Sequence, residues 1–271
     1  METATPIEMD QDQSLTLPQE SAIDPIPRAV VIGASSGIGA AIARRLAKEG
    51  YLVAAIARRE GALAELCTAI NQETGSERAF PFRHDVTDFE EIPDLFQRLL
   101  RELRRIDLVL YSAGAMQPVG LSEFNFEKDR EAAEVNLLGA MAWLGQAAAL
   151  FETVGQGCIA GISSVAGDRG RVRNPGYNAS KAGLDAYLEG LRNRLTRHGV
   201  HVLTVKPGFV DTDMLKAAER TFWVVSPDQV AEEFVRAVRG RKQQIYIPGR
   251  WRLMMFAIRN TPSFIFRRLS F

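Results

Sequence analysis

At 271 residues the chain has room for one large α/β domain or two small ones, with 46% hydrophobic and 24% charged residues, as in ordinary globular proteins. Lysine plus arginine equals aspartate plus glutamate at 33 each, so no bulk charge draws nucleic acid or an acidic partner. The two cysteines, Cys67 and Cys158, have neither disulfide-framework nor metal-ligand spacing, so no metal is expected and buried thiols in a reducing compartment are.

Residues 1–26 are rich in Gln, Glu, Asp, Thr and Pro without periodicity, and read as a flexible leader. They lack the apolar core of a signal peptide, and no 18-residue apolar run argues for a spanning helix, so a cytoplasmic domain is expected. Order begins near Arg28. The run Ala29-Val30-Val31-Ile32 suits a strand buried on both faces. It leads into Gly33-Ala34-Ser35-Ser36-Gly37-Ile38-Gly39, then a helical pattern through Ala43 and Leu46. A strand, glycine loop and helix in succession let backbone N–H groups cradle a phosphate. The glycine spacing is four then two, unlike G-x-G-x-x-G, but the roles carry over. Gly33 permits the turn, Gly37 allows close approach to a pyrophosphate, and Gly39 lets the helix pack down.

Residues 51–56 form a second apolar run, ending in Ala57-Arg58-Arg59. An acid at that strand end would meet the ribose hydroxyls of NAD; arginine there suits the 2′-phosphate of NADP, unless both arginines are solvated loop charges. A third run, 79–82, leads to His84-Asp85-Val86, and Asp88 is placed to cap the next helix. A fourth, 107–111, runs into Ser112-Ala113-Gly114. The long helical pattern 124–151 carries Asn136 among apolar residues, either as a satisfied core group or a functional kink. A fifth run, 158–162, ends in Ser163-Ser164, and a sixth, 200–205, in Lys206-Pro207-Gly208-Phe209-Val210-Asp211-Thr212. Ser226-Pro227 opens another helix, and 244–247 would be a seventh strand. Strands alternating with helices imply an α/β, doubly wound parallel sheet with ligands at the strands' carboxyl ends. Tyr177 and Lys181, four apart on a helical pattern, share one face, where an ammonium would lower the phenol's pKa for acid–base work.

Taken together these residues resemble the short-chain dehydrogenase/reductase family over about residues 28–248. The family's T-G-x-x-x-G-I-G loop stands as Ile32 to Gly39, with Ile32 replacing the threonine. Its N-N-A-G segment survives only as Ala113-Gly114, after Tyr111-Ser112. The resemblance implies one Rossmann-like domain over 27–248, with about seven parallel strands in the order 3-2-1-4-5-6-7 and helices on both faces. It implies a catalytic set of Asn136, Ser164, Tyr177 and Lys181. Tyr177 is then the general acid or base, Ser164 the donor to the substrate oxygen, and Lys181 the group that lowers the phenol's pKa and holds the nicotinamide ribose. Asn136 distorts its helix so that a carbonyl can hold a water. The implied cofactor residues are Gly33, Ser35, Ser36, Gly37, Ile38, Gly39, Arg58, Arg59, Asp85, Val86, Ala113, Gly114, Pro207, Gly208, Val210 and Thr212, besides Tyr177 and Lys181.

The expected activity is NADP(H)-dependent reduction of a carbonyl, or oxidation of a secondary alcohol, with NAD(H) the second choice of cofactor. The alternative is a non-catalytic NADP-binding regulator or scaffold on the same fold, which retention of Tyr177 and Lys181 disfavours. A sugar-nucleotide epimerase or dehydratase on this fold would carry a larger C-terminal substrate region. Met214, Leu215, Phe222, Trp223 and Val224, in the loop after the sixth strand, suit an apolar, lipid-like substrate, although lid residues also simply pack. The family implies a homodimer or homotetramer. Residues 249–271 carry five arginines, no acid and many aromatics, a pattern that either lies on an anionic membrane surface or docks on protein.

Overall fold

Seven strands make a single parallel sheet: β1 (Arg28–Ile32), β2 (Leu52–Ala57), β3 (Ala79–Arg83), β4 (Leu108–Tyr111), β5 (Cys158–Ile162), β6 (His201–Pro207) and β7 (Gln244–Ile247). Their order is β3-β2-β1-β4-β5-β6-β7, as expected from the resemblance. The computed structural model describes residues 25–217 and 221–268, so all but the end of the expected leader lies outside the described residues.

Alternation along the strands separates two cores. Ala29 and Val31 of β1 face a core closed by α1 (Gly37–Lys48), α2 (Glu60–Thr74) and α7 (Pro227–Arg239). Val30 and Ile32 face the opposite core, closed by α3 (Ile92–Leu103), α5 (Gly139–Val154) and α6 (Pro175–Leu195). Because both faces are covered, β1 is buried at all five positions and shows no polar alternation in sequence. Cys67 and Cys158 are buried free thiols, and burial pushes their pKa values up to about 11 and about 12. They are packing groups.

Two local expectations need correction. Asp88 makes no side-chain cap bond; a 3₁₀ turn (Phe89–Glu91) follows it, and α3 begins at Ile92 with Pro93 in its first turn. Proline fixes the opening φ and has no N–H to be capped there. Between α4 (Phe126–Ala133) and α5 the helix continues through a π segment (Glu134–Leu138). By length and composition the whole helix, Phe126–Val154, is apolar enough to cross a membrane. Its Trp143, Leu144, Ala147 and Phe151 are instead buried against the sheet.

The chain beyond β7 belongs to the same packed body. Trp251 and Met255 of α8 (Trp251–Asn260) bury against Val165, with Phe209, Trp223 and Tyr246 around them. Arg169 ties this segment down: its Nη1 donates to the carbonyls of Ile258 and Thr261, and its guanidinium lies 3.8 Å over the Phe266 ring of α9 (Ser263–Phe266). Leu253, Phe256 and Phe264 stay exposed on the outer side.

Candidate active site

The site lies at the carboxyl ends of the central strands. Gly33 turns the chain out of β1 at φ +86°, and a Cβ on it would stand 2.3 Å from the Ala113 nitrogen. A Cβ on Gly39 would stand 2.1 Å from the Gly33 carbonyl oxygen, so the first turn of α1 rests directly on the loop. Ser36 precedes α1 in extended conformation and makes no side-chain cap bond. The first N–H groups of α1 are thus left uncapped by the residue before them, the arrangement that receives a phosphate at a helix N-terminus. Ile38 packs partly buried against the α1 side of the core.

The two arginines after β2 divide. Arg59 Nη2 donates to Ser35 Oγ at 3.0 Å and Ser36 Oγ at 2.5 Å, placing a guanidinium and two hydroxyls together at the glycine loop. Arg58, the guanidinium first singled out for a 2′-phosphate, turns away and pairs with Asp85 at 3.3 Å, with its side chain 72% exposed. Asp85 Oδ1 also accepts from the N–H and hydroxyl of Thr87 at 3.1 and 2.9 Å. Burial alone would raise the Asp85 pKa, but Thr87 and Arg58 together hold it below the usual carboxylate value. Val86 is buried and Ala113 packs partly buried in the α3–α5 core.

Asn136 is fully buried in the π segment and works as a three-way tie. Its Nδ2 donates to the Ala115 carbonyl at 2.9 Å and to Ser180 Oγ at 3.0 Å, while its Oδ1 accepts from Ala115 N at 2.7 Å. It therefore pins the loop after β4 to α6. The expected helix distortion is present as this π turn, and Tyr111 completes it by donating to the Val135 carbonyl at 2.5 Å. Sequence reasoning treated Tyr111 only as a departure from N-N-A-G.

Ser164 follows β5, buried, its Oγ accepting from Ala166 N at 3.1 Å. Tyr177 and Lys181 occupy consecutive turns of α6, with Lys181 Nζ 5.8 Å from the Tyr177 ring centre. Lys181 is buried and donates to the Ile162 carbonyl at the end of β5, at 2.9 Å. Burial pushes the Lys181 pKa down to about 8, with Asp185 pulling the other way. Burial also raises the Tyr177 pKa above its ordinary value; the Ser164 hydroxyl and the Arg171 charge oppose that rise. The expectation that Lys181 brings the phenol down is therefore corrected. The ammonium turns to a strand-end carbonyl, and desolvation of the phenol dominates.

Pro207 ends β6, and Gly208 passes under Trp251, whose Nε1 would lie 1.9 Å from a Cβ there. Val210 is buried and bridges Val225. Thr212 reaches the glycine loop, its Cγ2 3.1 Å from where a Gly37 Cβ would be. A Cβ at Gly114 would lie 3.5 Å from Asn136 Oδ1, 3.7 Å from Lys181 Nζ and 3.8 Å from Met214 Cε. The loop after β6 thus brings Met214 up to Gly114, beside which Lys181 Nζ also lies. A cavity of about 730 Å³ opens between α1 and this loop, lined by Gly37, Arg44, Thr212 and Leu215 and not by Tyr177. No cluster of metal-ligating residues occurs among the described residues.

Behind α6 lies a buried charge network absent from the sequence reading. Lys206 Nζ meets Asp168 Oδ1 and, at 2.8 Å, Asp185 Oδ2, while Tyr246 OH donates to Asp168 Oδ2 at 2.9 Å. A lysine in β6 next to Val202, Leu203 and Val205 was the available signal, since a buried ammonium needs carboxylates beside it.

A parallel sheet with a phosphate-type loop, and a Ser, Tyr and Lys at its strand ends, defines a dinucleotide-binding α/β protein with an oxidoreductase-type site. The short chain dehydrogenase family profile matches residues 27–222, and the chain belongs to that family of oxidoreductases. It is 30% identical over 223 residues to the ketoacyl reductase HetN of Nostoc sp., covering 80% of this chain and 77% of that one. Among solved structures it resembles a point variant of actinorhodin polyketide ketoreductase with NADPH, at TM-score 0.71 and 30% identity over 78% of this chain and 89% of that one. A short-chain dehydrogenase from Sphingobium yanoikuyae in complex with NADPH is similar at TM-score 0.76 and 25% identity, over 86% and 93% of the two chains.

Proposed function

We propose that this chain is an NADP(H)-dependent carbonyl reductase, or in reverse a secondary-alcohol dehydrogenase. The observation that carries this reading is Ser164 beside Tyr177, with Lys181 one helical turn away, at the strand-end cleft next to the glycine loop. When bound, the nicotinamide cofactor supplies or accepts the hydride. The first turn of α1 would hold its pyrophosphate, and Arg59 with Ser35 and Ser36 its 2′-phosphate. Asp85 and Val86 would border the adenine, Lys181 would hold the nicotinamide ribose, and Thr212 would meet the carboxamide. Tyr177, protonated at neutral pH as a phenol ordinarily is, gives its proton to the carbonyl oxygen and reclaims it in oxidation. Ser164 already accepts from Ala166 N, which leaves its own proton for the substrate oxygen, where negative charge develops. The NADPH complexes of both structural neighbours support the same cofactor here, with NADH as the second choice.

The test is a panel of ketones and aldehydes followed by NADPH absorbance and repeated with NADH. Reduction is expected with NADPH, and Tyr177→Phe is expected to lose about 100-fold or more of it while still binding NADPH. Equal rates for wild type and Tyr177→Phe would sink the assignment, and a protein that binds NADPH but reduces nothing would favour a cofactor-binding regulator.

The aromatic group Phe209, Phe222, Trp223 and Trp251, with ring centres 5.2–6.1 Å apart, packs around Val165, the residue after Ser164, and its exposed member Phe222 supports an apolar substrate surface. Exposed Leu138 and Met141 on the outer side of the long helix support a dimer or tetramer contact in a cytoplasmic protein. On α8 and α9, exposed Leu253, Phe256 and Phe264 stand among Arg252, Arg259 and Arg267, which supports peripheral contact with an anionic membrane. Flotation with phosphatidylserine vesicles decides this. Wild type should float, and Leu253→Glu/Phe256→Glu should not; equal behaviour removes the membrane reading.

A further inference from the structure

The chain between Ser164 and Tyr177 carries three arginines in five residues: Arg169, Arg171 and Arg173. The segment is fastened at its start. Asp168 gives one carboxylate oxygen to Lys206 and the other to Tyr246 at 2.9 Å. Arg169 is committed to the carbonyls of Ile258 and Thr261. Arg171 is held differently: its Nε is buried and has no hydrogen-bond acceptor. Its charge is felt by Tyr177, and the acid that acts on it, Asp168, is the one already engaged by Lys206 and Tyr246. Arg171 is only partly buried, but a buried Nε–H left without an acceptor is unfavourable, and an incoming anion would supply that acceptor. The cofactor's phosphates have their own donors at Arg59 and the α1 N-terminus, whereas Arg171 stands in the segment that joins the two hydroxyl-bearing catalytic residues.

We propose that Arg171 anchors an oxyanion of the substrate, a carboxylate or phosphoryl group carried near the carbonyl that Ser164 and Tyr177 address. This rests on the carbonyl-reductase reading and narrows it. With Phe222 and Val224 exposed on the loop after β6, the substrate class becomes an amphiphile, an apolar body bearing one acidic group. The planar guanidinium fork matches either oxyanion with two parallel hydrogen bonds, which an ammonium cannot reproduce.

Two matched pairs test this with NADPH: 4-oxo-4-phenylbutanoate against its methyl ester, and dihydroxyacetone phosphate against dihydroxyacetone. Wild type should favour the anionic member of at least one pair by about tenfold or more in kcat/KM. The pair that shows the preference tells carboxylate from phosphate. Arg171→Met should erase that preference, and Arg171→Lys should restore it only in part. Binding is read apart from turnover by calorimetric titration of 4-phenylbutanoate, 4-phenylbutanamide and inorganic phosphate into the NADP⁺-loaded protein. An anion preference in binding that Arg171→Met abolishes, with no turnover of any carbonyl, upholds the anchor and overturns the reductase reading. Turnover of neutral ketones with no anion preference in wild type, or a preference that survives in Arg171→Met, overturns the anchor and leaves the reductase standing.

Discussion

Adjacent residues with identical side chains can have opposite partners, as Arg58 and Arg59 do. Arg58 faces a carboxylate on the sheet edge, and Arg59 faces two hydroxyls of the glycine loop. A charge-assisted contact to a phosphate contributes about 1.5–3 kcal/mol, roughly 10- to 100-fold in affinity. Arg59→Leu should therefore raise the KM for NADPH by about that factor while leaving the KM for NADH nearly unchanged, and Arg58→Leu should do far less. Steady-state kinetics with both cofactors check this; equal effects of the two substitutions would return the 2′-phosphate to Arg58. On the proposed carbonyl-reductase reading, Tyr177 sets the pH dependence. A phenol is ordinarily protonated through neutrality, the form that reduction needs and oxidation does not, and burial here moves its deprotonation further into alkali. Reduction should hold level from pH 6 to 8 and decline in alkali, and oxidation should climb over the same alkaline range. A reduction rate that rises between pH 7 and 9 would contradict this.

At the scale of an element, the long helix between β4 and β5 shows why its asparagine is there. A π turn widens the helix at Glu134–Leu138 and displaces carbonyls from their usual donors. Tyr111 from the neighbouring strand serves one of them, Val135, and Asn136 ties the same turn to Ala115 and Ser180. Tyr111→Phe removes the donor that the fully buried Tyr111 gives to the Val135 carbonyl and should cost about 1–3 kcal/mol of unfolding free energy, read by urea denaturation. A stability equal to wild type would mean that the carbonyl has another partner. The segment after β7 is an element of the same kind: its sequence allowed either a membrane-lying or a protein-docked segment, and Trp251 and Met255 are core residues. Deleting residues 249–271 would open that core, which is why membrane contact is probed by surface substitutions instead.

Across the whole molecule, Lys206 joins β6, the segment after β5 and α6 through two carboxylates, with Tyr246 adding β7. The side chains of Lys206 and Asp168 are 5% and 1% exposed, so this is a buried pair, and removing the cation strands two acids. Lys206→Met should lose about 3–5 kcal/mol of stability at pH 8. The pH dependence has a defined sign. Burial raises the Asp185 pKa above 3.8, so protonation favours the folded state, and losing Lys206 raises it further. The deficit of Lys206→Met should accordingly shrink as pH falls from 8 to 5. A deficit that widens in acid would show that the aspartates do not depend on this lysine.

Local spacing was enough for the strand–helix alternation, the glycine loop and the shared face of Tyr177 and Lys181, because each is written in consecutive residues or in one helical turn, whereas Asn136 and Ser164 stood out only through the family resemblance. Strand boundaries came within a residue or two, since a strand buried on both faces reads as an unbroken apolar run. What the chain alone could not decide was which partner each long side chain takes. Whether Arg59 or Arg58 meets the loop, whether Lys181 turns to Tyr177 or to Ile162, and what neutralises Lys206 all depend on residues tens of positions away. Those contacts are set by how α6, β6 and α8 pack over the ends of the sheet, and burial there reverses the sign of the Tyr177 shift that sequence spacing implied. A buried Nε–H without an acceptor, that of Arg171, is visible only once every neighbour has been placed.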